Sequence, residues 1–530
     1  MRHLHLPALC LALCLTTVCA PVMAAPALDM APVVPLNRAS ALPPGWNHNA
    51  AFMEIFVRSY QDSNGDGIGD LNGLTSRLDY LKDLGITGIW LMPIHPSTDG
   101  DHGYAVNDYR AVNPDYGTLA DFDRLVAEAH KRGIGIVLDL VPNHAGRDNP
   151  IFHDAVASKR SPYRDWFLFQ DRDTNAQWPY PWWRTSATGY YYGISDAIMP
   201  DWNLRNPKVV AYLTDSMRFW LNRGVDGFRV DAVTQLVENG PTAFRDQPEN
   251  LAVVQKLSDV LDAYDNRYLI CEANFAPRYY TQACRNSFAF KSMDDIRTSA
   301  VDGSAQPGLI DQLAFADRDR MPLVLQSHDW YVGDRLIDQL GVADDGDYRV
   351  MAAISILASR TPFTYYGEEI GMSNGGAFDD PGIRSPMSWT PVARTAGFTT
   401  AKPYRAVAIN VASRNVAAEA GDPDSLLEYY RALYHVRLAH PVLADGEFKL
   451  LSKSGDPVLA FSRTTGKDTA IVVINLSATA QDFAVASGFS AGSYADALGG
   501  GGAALTSDAS GRLDLSLPGK TVRVLVPVHQ

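Results

Sequence analysis

The sequence is poor in positive charge, in cysteine and in long apolar runs. Lys and Arg total 46 against 60 Asp and Glu, a formal charge of −14, and no basic cluster offsets it locally, so nucleic acid is excluded as a partner. Past the N-terminus there is no charge block or biased tract. With 46% hydrophobic and 20% charged residues the chain reads as soluble and globular, which rules out disorder, collagen and coiled coil. No later stretch reaches 18 uninterrupted apolar residues, so no membrane span is expected in the mature chain.

The N-terminus differs. Arg2, the apolar stretch Leu6–Val18 and the small-x-small ending Val22-Met23-Ala24 predict a secretory signal peptide over residues 1–24, hence a secreted or periplasmic protein. Cys10, Cys14 and Cys19 leave with it. The remaining pair, Cys271 and Cys284, could form one disulfide after export, although spacing alone does not show that the geometry permits it.

At 530 residues the chain suits two to four units, or one large barrel with additions. Residues 25–49, punctuated by Pro26, Pro32, Pro35, Pro43 and Pro44, are expected to lie extended over the surface. From Ala50, strand-like runs alternate with helical patterns: AFMEIFV, GIWLMP, GIVLDLV, VDGFRVD, YLICE, SFAFK, PLVLQSHD and PFTYYGEE. Eight strand–helix units predict an α/β fold, a (β/α)8 TIM barrel over 50–141 and 206–440 with its site at the C-terminal strand ends. An insertion, 142–205, follows the third strand, and short alternating runs over 441–530 predict a C-terminal all-β sandwich.

In GFRVDAV, Arg229 and Asp231 stand two apart on a strand and share its inward face. YLICE ends in Glu272, and the seventh run ends in His328-Asp329, so three carboxylates converge on one rim. Such a gathering of like charge is costly unless used. Paired carboxylates are the equipment of retaining glycoside hydrolysis, one as nucleophile and one as acid.

These blocks resemble the α-amylase family, glycoside hydrolase family 13, in order and over almost the whole mature chain: LDLVPNH (Asp139, Asn143, His144), MPDWN at 199–203, GFRVDAV, CEANF and QSHD. The resemblance implies Asp231 as nucleophile, Glu272 as general acid/base and Asp329 as the carboxylate that grips sugar hydroxyls. It further implies that Tyr104, His144, Arg229 and His328 hold the attacked ring. The segment Asp62–Asp70, with oxygen donors at alternate positions, suits Ca²⁺. In the family it matches a structural Ca²⁺ loop with ligands at Asp62, Asn64, Asp66, the Ile68 carbonyl and Asp70.

The chain resembles both the α-amylase and the oligo-α-glucosidase branches. Ala105 stands where exo-acting relatives carry Asp, Thr234-Gln235 replace a Lys-His pair, and Ser327 replaces Asn, whereas PMSW at 386–389 is glucosidase-like. The expectation is a monomeric, secreted α-amylase cleaving internal α-1,4 bonds of starch, glycogen or another α-glucan. The alternatives are an exo-acting α-glucosidase, a transglycosylase on malto-oligosaccharides, or a non-catalytic glucan-binding relative. The insertion's Trp178, Tyr180, Trp182, Trp183, Tyr190, Tyr191 and Tyr192 are expected to be mainly core, with one or two in the cleft.

Overall fold

Short apolar runs flanked by turns form strands that are buried on both faces, the pattern of a parallel sheet wrapped by helices. In the computed structural model these are β1 (Phe52–Ile55), β2 (Gly88–Leu91), β3 (Gly135–Leu140), β4 (Gly227–Val230), β5 (Tyr268–Cys271), β6 (Asn286–Ser287) and β7 (Phe363–Tyr365). All pair in parallel, in the order β7-β1-β2-β3-β4-β5-β6. The structure describes residues 28–528 except 37, 186–187, 342–344, 378, 467, 487–491 and 500–503. The expected signal peptide lies outside the described residues. Among those described, no helix is long and apolar enough to cross a membrane.

The run expected as the seventh strand, 322–329, forms no ladder. It crosses the gap between β6 and β7 as an extended segment, its Pro322 carbonyl accepting from the Ala289 amide at 3.0 Å. The Leu323 backbone bonds instead to helix side chains, its amide donating to Ser359 Oγ (3.0 Å) and its carbonyl accepting from Ser355 Oγ (3.3 Å). Val324 and Leu325 are nevertheless buried, so the barrel wall is complete in packing where it is open in hydrogen bonding.

The helices dock by apolar stripes. In Leu119–Lys131 the buried Phe122, Leu125, Val126 and Ala129 recur at helical spacing, and Thr118 with Asp121 forms a capping box. The Pro-rich stretch does more than cover the surface. It turns into the short helix Trp46–Asn49, and Leu42 and Trp46 enter a core cluster with Phe52, Tyr268 and Phe363, the first residues of their strands, at the barrel's N-terminal end. Gly135 makes room: a Cβ there would lie 2.2 Å from the Trp46 ring, whose Nε1 donates to the Thr87 carbonyl at 2.6 Å.

The insertion carries the helix Pro150–Ala157 and a three-stranded antiparallel sheet of Phe169–Gln170, Tyr190–Tyr192 and Trp182–Arg184. Past the barrel, a six-stranded antiparallel sheet packs on a two-stranded one, Gln481–Ala486 paired with Arg512–Leu517, with Val458, Ile471, Val473, Val485, Leu513 and Leu515 between them. Buried Arg463 joins this sandwich to the barrel through Asp319 Oδ1 (2.8 Å) and the Ala358 carbonyl (3.0 Å).

Candidate active site

Strand geometry assembles the site. Arg229 lies within β4 and Asp231 just past its end, both facing the barrel axis, and Glu272 follows β5. The Arg229 guanidinium is 1% exposed and joins three carboxyls: Nη1 to Asp231 Oδ1 (2.5 Å) and Asp139 Oδ1 (3.0 Å), Nη2 to Glu272 Oε2 (2.6 Å). Three further donors reach Glu272: the Ala232 amide to Oε2 (3.2 Å), and Asn274 Nδ2 (2.6 Å) and Tyr331 Oη (3.1 Å) to Oε1. A planar, permanently charged fork suits this bridging where a lysine would not.

A second chain of bonds runs across the axis. His328 Nδ1 lies 2.5 Å from Glu54 Oε1 on β1, and its Nε2 lies 2.8 Å from Tyr104 Oη, which donates to Asp139 Oδ2 at 2.8 Å. Burial raises the Glu54 carboxyl well above its usual range and holds His328 well below its own, so both are neutral. The consistent assignment is Glu54 O–H to Nδ1, Nε2–H to Tyr104 Oη, and Tyr104 O–H to Asp139. The Tyr104 and His328 rings stack with centroids 5.3 Å apart.

Tyr104, His144, Asp231, Glu272, His328 and Asp329 line one cavity of 430 Å³, beside His102, Gln235, Asp380, Arg384 and the insertion residues Ser195, Asp196, Ile198 and Met199. Arg229 lies beneath it. His144 Nε2 is buried with no hydrogen-bond partner among the described residues, and burial lowers this imidazole to about 4, leaving it neutral. Burial raises Asp329 to about 7, with the Glu272 charge adding to it against the pull of Arg384. Burial likewise raises Asp231 well above the carboxylate range, whereas Arg229 and the Ala232 amide overcome burial at Glu272 and lower it. Asp231 and Glu272 therefore titrate as one coupled pair.

Sequence reasoning missed several residues. Arg384 Nη2 bonds Asp329 Oδ1 (3.2 Å) and Asp380 Oδ2 (2.9 Å), and its Nη1 lies 3.9 Å from Asp101, which Arg405 holds at 2.7 Å. Arg384 stands two residues before the PMSW block, and Glu54 is the lone charge of the first apolar strand; both signals were legible. None of the seven insertion aromatics lines the cavity; Trp182 and Tyr192 instead form a small core of their own with Trp178, Tyr180 and Tyr190 packed against it. Cys271 and Cys284 are paired, with Cα atoms 6.0 Å apart, directly before Glu272.

With this geometry in view, a family model described as alpha amylase, catalytic domain, matches residues 54–446, and one for the alpha amylase C-terminal all-beta domain matches 451–528. The chain belongs to the α-amylase family. Alpha-amylase 3 of Dictyoglomus thermophilum is 33% identical over 81% of this chain and 85% of its own length. Oligo-1,6-glucosidase of Parageobacillus thermoglucosidasius is 30% identical over 82% of this chain and 90% of its own. The crystal structure of the trehalulose synthase MutB matches with a TM-score of 0.76 at 28% identity, covering 92% of this chain and all of that one. As a member of this family of glycoside hydrolases and transglycosylases, the protein is an enzyme acting on sugars.

Two features separate this α-amylase-family chain from simple expectation. Ala105 is fully buried, its amide donating to Asp99 and its carbonyl accepting from Ser97, and it does not line the cavity. In the loop 62–70, Asp62 accepts from the amides of Asn64, Gly65 and Gly67, Asn64 from Asp66, Asp66 from Ile68, and Asp70 from Ser63 and Gly73. The all-oxygen donor set suits a hard cation. In this conformation its side chains serve the loop's own amides, and among the described residues no three His, Cys, Asp or Glu are grouped to hold a metal.

Proposed function

We propose that the protein is a retaining α-glucoside hydrolase acting on α-1,4-linked malto-oligosaccharides, with Asp231 as nucleophile, Glu272 as acid/base and Asp329 as the carboxylate that grips the sugar hydroxyls. The observation that carries this reading is Arg229 joined to both Asp231 and Glu272 at the floor of a cavity that Asp329 also lines. Attack by Asp231 on the anomeric carbon would break the glycosidic bond as the Glu272 proton passes to the leaving oxygen. Water or a second sugar, giving its proton back to Glu272, would then release the glycosyl group from Asp231. This requires the shared proton on Glu272. A glycosidic oxygen placed against Glu272 supplies an acceptor that favours the proton of the coupled pair there.

Neutral His144, with its unpartnered Nε2, and Tyr104 are placed to hold the ring. We infer that chains are taken by an end. The support is the belt of Arg384 with Asp329, Asp380 and Asp101 beside one another at the cavity, while the case for internal attack rested on Ala105, which is buried away from it. Internal cleavage is the second reading, favoured by the Dictyoglomus amylase. The deciding experiment is product analysis on maltoheptaose and on an end-blocked maltoheptaoside. Attack at an end gives glucose or maltose first and spares the blocked substrate, whereas early long products and cleavage of the blocked chain would establish internal attack. We also propose export, supported by the N-terminal pattern and by a disulfide suited to an oxidising compartment, and a structural Ca²⁺ at loop 62–70.

A further inference from the structure

We propose that Tyr331 is a positioning residue for the acid/base, its single hydroxyl proton alternating between Glu272 and Asn274 as Glu272 changes protonation state. The proposal rests on the acid/base role assigned to Glu272. Tyr331 Oη lies 3.1 Å from Glu272 Oε1 and 2.9 Å from Asn274 Oδ1, and Asn274 Nδ2 lies 2.6 Å from the same Glu272 oxygen. The three groups close a triangle in which each edge is within hydrogen-bond reach. A phenol has one proton to donate, so only one of its two acceptors receives it at a time.

Chemistry decides which. When Glu272 is ionised, the charged oxygen is the stronger acceptor and takes the phenol proton. When Glu272 carries its proton, the hydroxyl turns to Asn274 Oδ1, and its oxygen is free to accept from the Glu272 O–H. The phenol keeps its proton throughout, and no net transfer is needed. The other groups facing Glu272 are Arg229 and the coupled Asp231 from the end of β4, the Ala232 amide, and Asp329, two residues before Tyr331, none of them a neutral hydroxyl that can turn. Tyr331 is thus the adjustable member, on a half-exposed ring (52%) that packs edge-on against Phe290.

The consequence for the cycle is directional. Donation to ionised Glu272 makes the carboxyl a stronger acid in the glycosylation step and a weaker base in the second. Removing the hydroxyl leaves Glu272 harder to ionise and slower to protonate a poor leaving group.

The test is Tyr331→Phe, which keeps the ring, with Asn274→Ala as the second variant. Each is assayed over pH on maltotriose, whose leaving group needs a proton, and on 2,4-dinitrophenyl α-glucoside, whose leaving group does not. The basic limb of kcat/KM on maltotriose should move up by roughly half to one pH unit in Tyr331→Phe, the size expected for one charge-assisted bond at a part-exposed site. kcat/KM on maltotriose should fall by roughly 3–10-fold and that on the activated glucoside by less than about twofold. Asn274→Ala should shift the limb in the same direction. An unmoved limb in both variants, or equal losses on the two substrates, would overturn the proposal. If Glu272→Gln itself leaves maltotriose cleavage intact, the acid/base reading fails, and that outcome is distinct from an unmoved limb.

Discussion

Glu54 on the first barrel strand and His328 at the end of the extended segment between β6 and β7 are joined at 2.5 Å through Nδ1, so the imidazole that faces the cavity is oriented by a carboxyl outside it. Because burial keeps both neutral, the Glu54 proton fixes the His328 tautomer. Glu54→Gln can still offer an N–H to Nδ1 and should keep activity within about tenfold, whereas Glu54→Leu should lose about 10–100-fold in kcat/KM. Equal loss in the two variants would show that packing, not the proton, matters.

Asp231→Asn should lower kcat by at least about 10³-fold while maltotriose still binds, as expected when the nucleophile alone is lost. Glu272→Gln should suffer far more on maltotriose than on an activated aryl glucoside. Calorimetric binding with turnover measured on the same samples checks both.

For the loop at 62–70, added Ca²⁺ should raise the melting temperature and chelation should lower it, with Asp66→Ala abolishing the difference and leaving kcat at low temperature unchanged. A melting temperature indifferent to both would mean that the loop is held by its own amide bonds alone.

Glu368 is buried behind the eighth barrel position, accepting from Tyr430 Oη at 2.9 Å, and burial raises it from 4.5 to about 8. The folded state therefore holds this proton more tightly than the unfolded chain does. Its contribution is complete below about pH 4.5 and is lost as pH rises toward about 8. Glu368→Gln should consequently gain in melting temperature relative to the parent as pH is raised from 5 to about 8.5. Parallel curves across that window would rule the titration out.

Cys284→Ser opens a 13-residue loop and should cost about 3 kcal/mol of stability by chain entropy. Because Cys271 directly precedes Glu272, kcat should fall as well; full activity at a reduced melting temperature would show that β5 alone sets the acid/base.

Much of this site was legible in one dimension because strands impose a period of two. Arg229 and Asp231 share a face by spacing, and Glu272 ends its apolar run, so their convergence follows from the barrel. Asn274, Tyr331, Asp101 and Arg384 come from loops, where no period says which residues will meet. Ala105 shows the same limit from the other side: beside Tyr104 in sequence, it turns inward to Ser97 and Asp99. The seventh strand was misread because PLVLQSHD has strand composition, while Ser355 and Ser359 offered its backbone other partners.

Trp46 and Leu42 lie before residue 54, where the shared family domain begins, yet they occupy the base of the barrel. The unit that folds in this chain therefore extends beyond the stretch that the family model matches. A chain trimmed to the shared boundary would keep every residue of its active site and lose the floor on which those strands stand, so its failure would be one of folding and not of chemistry.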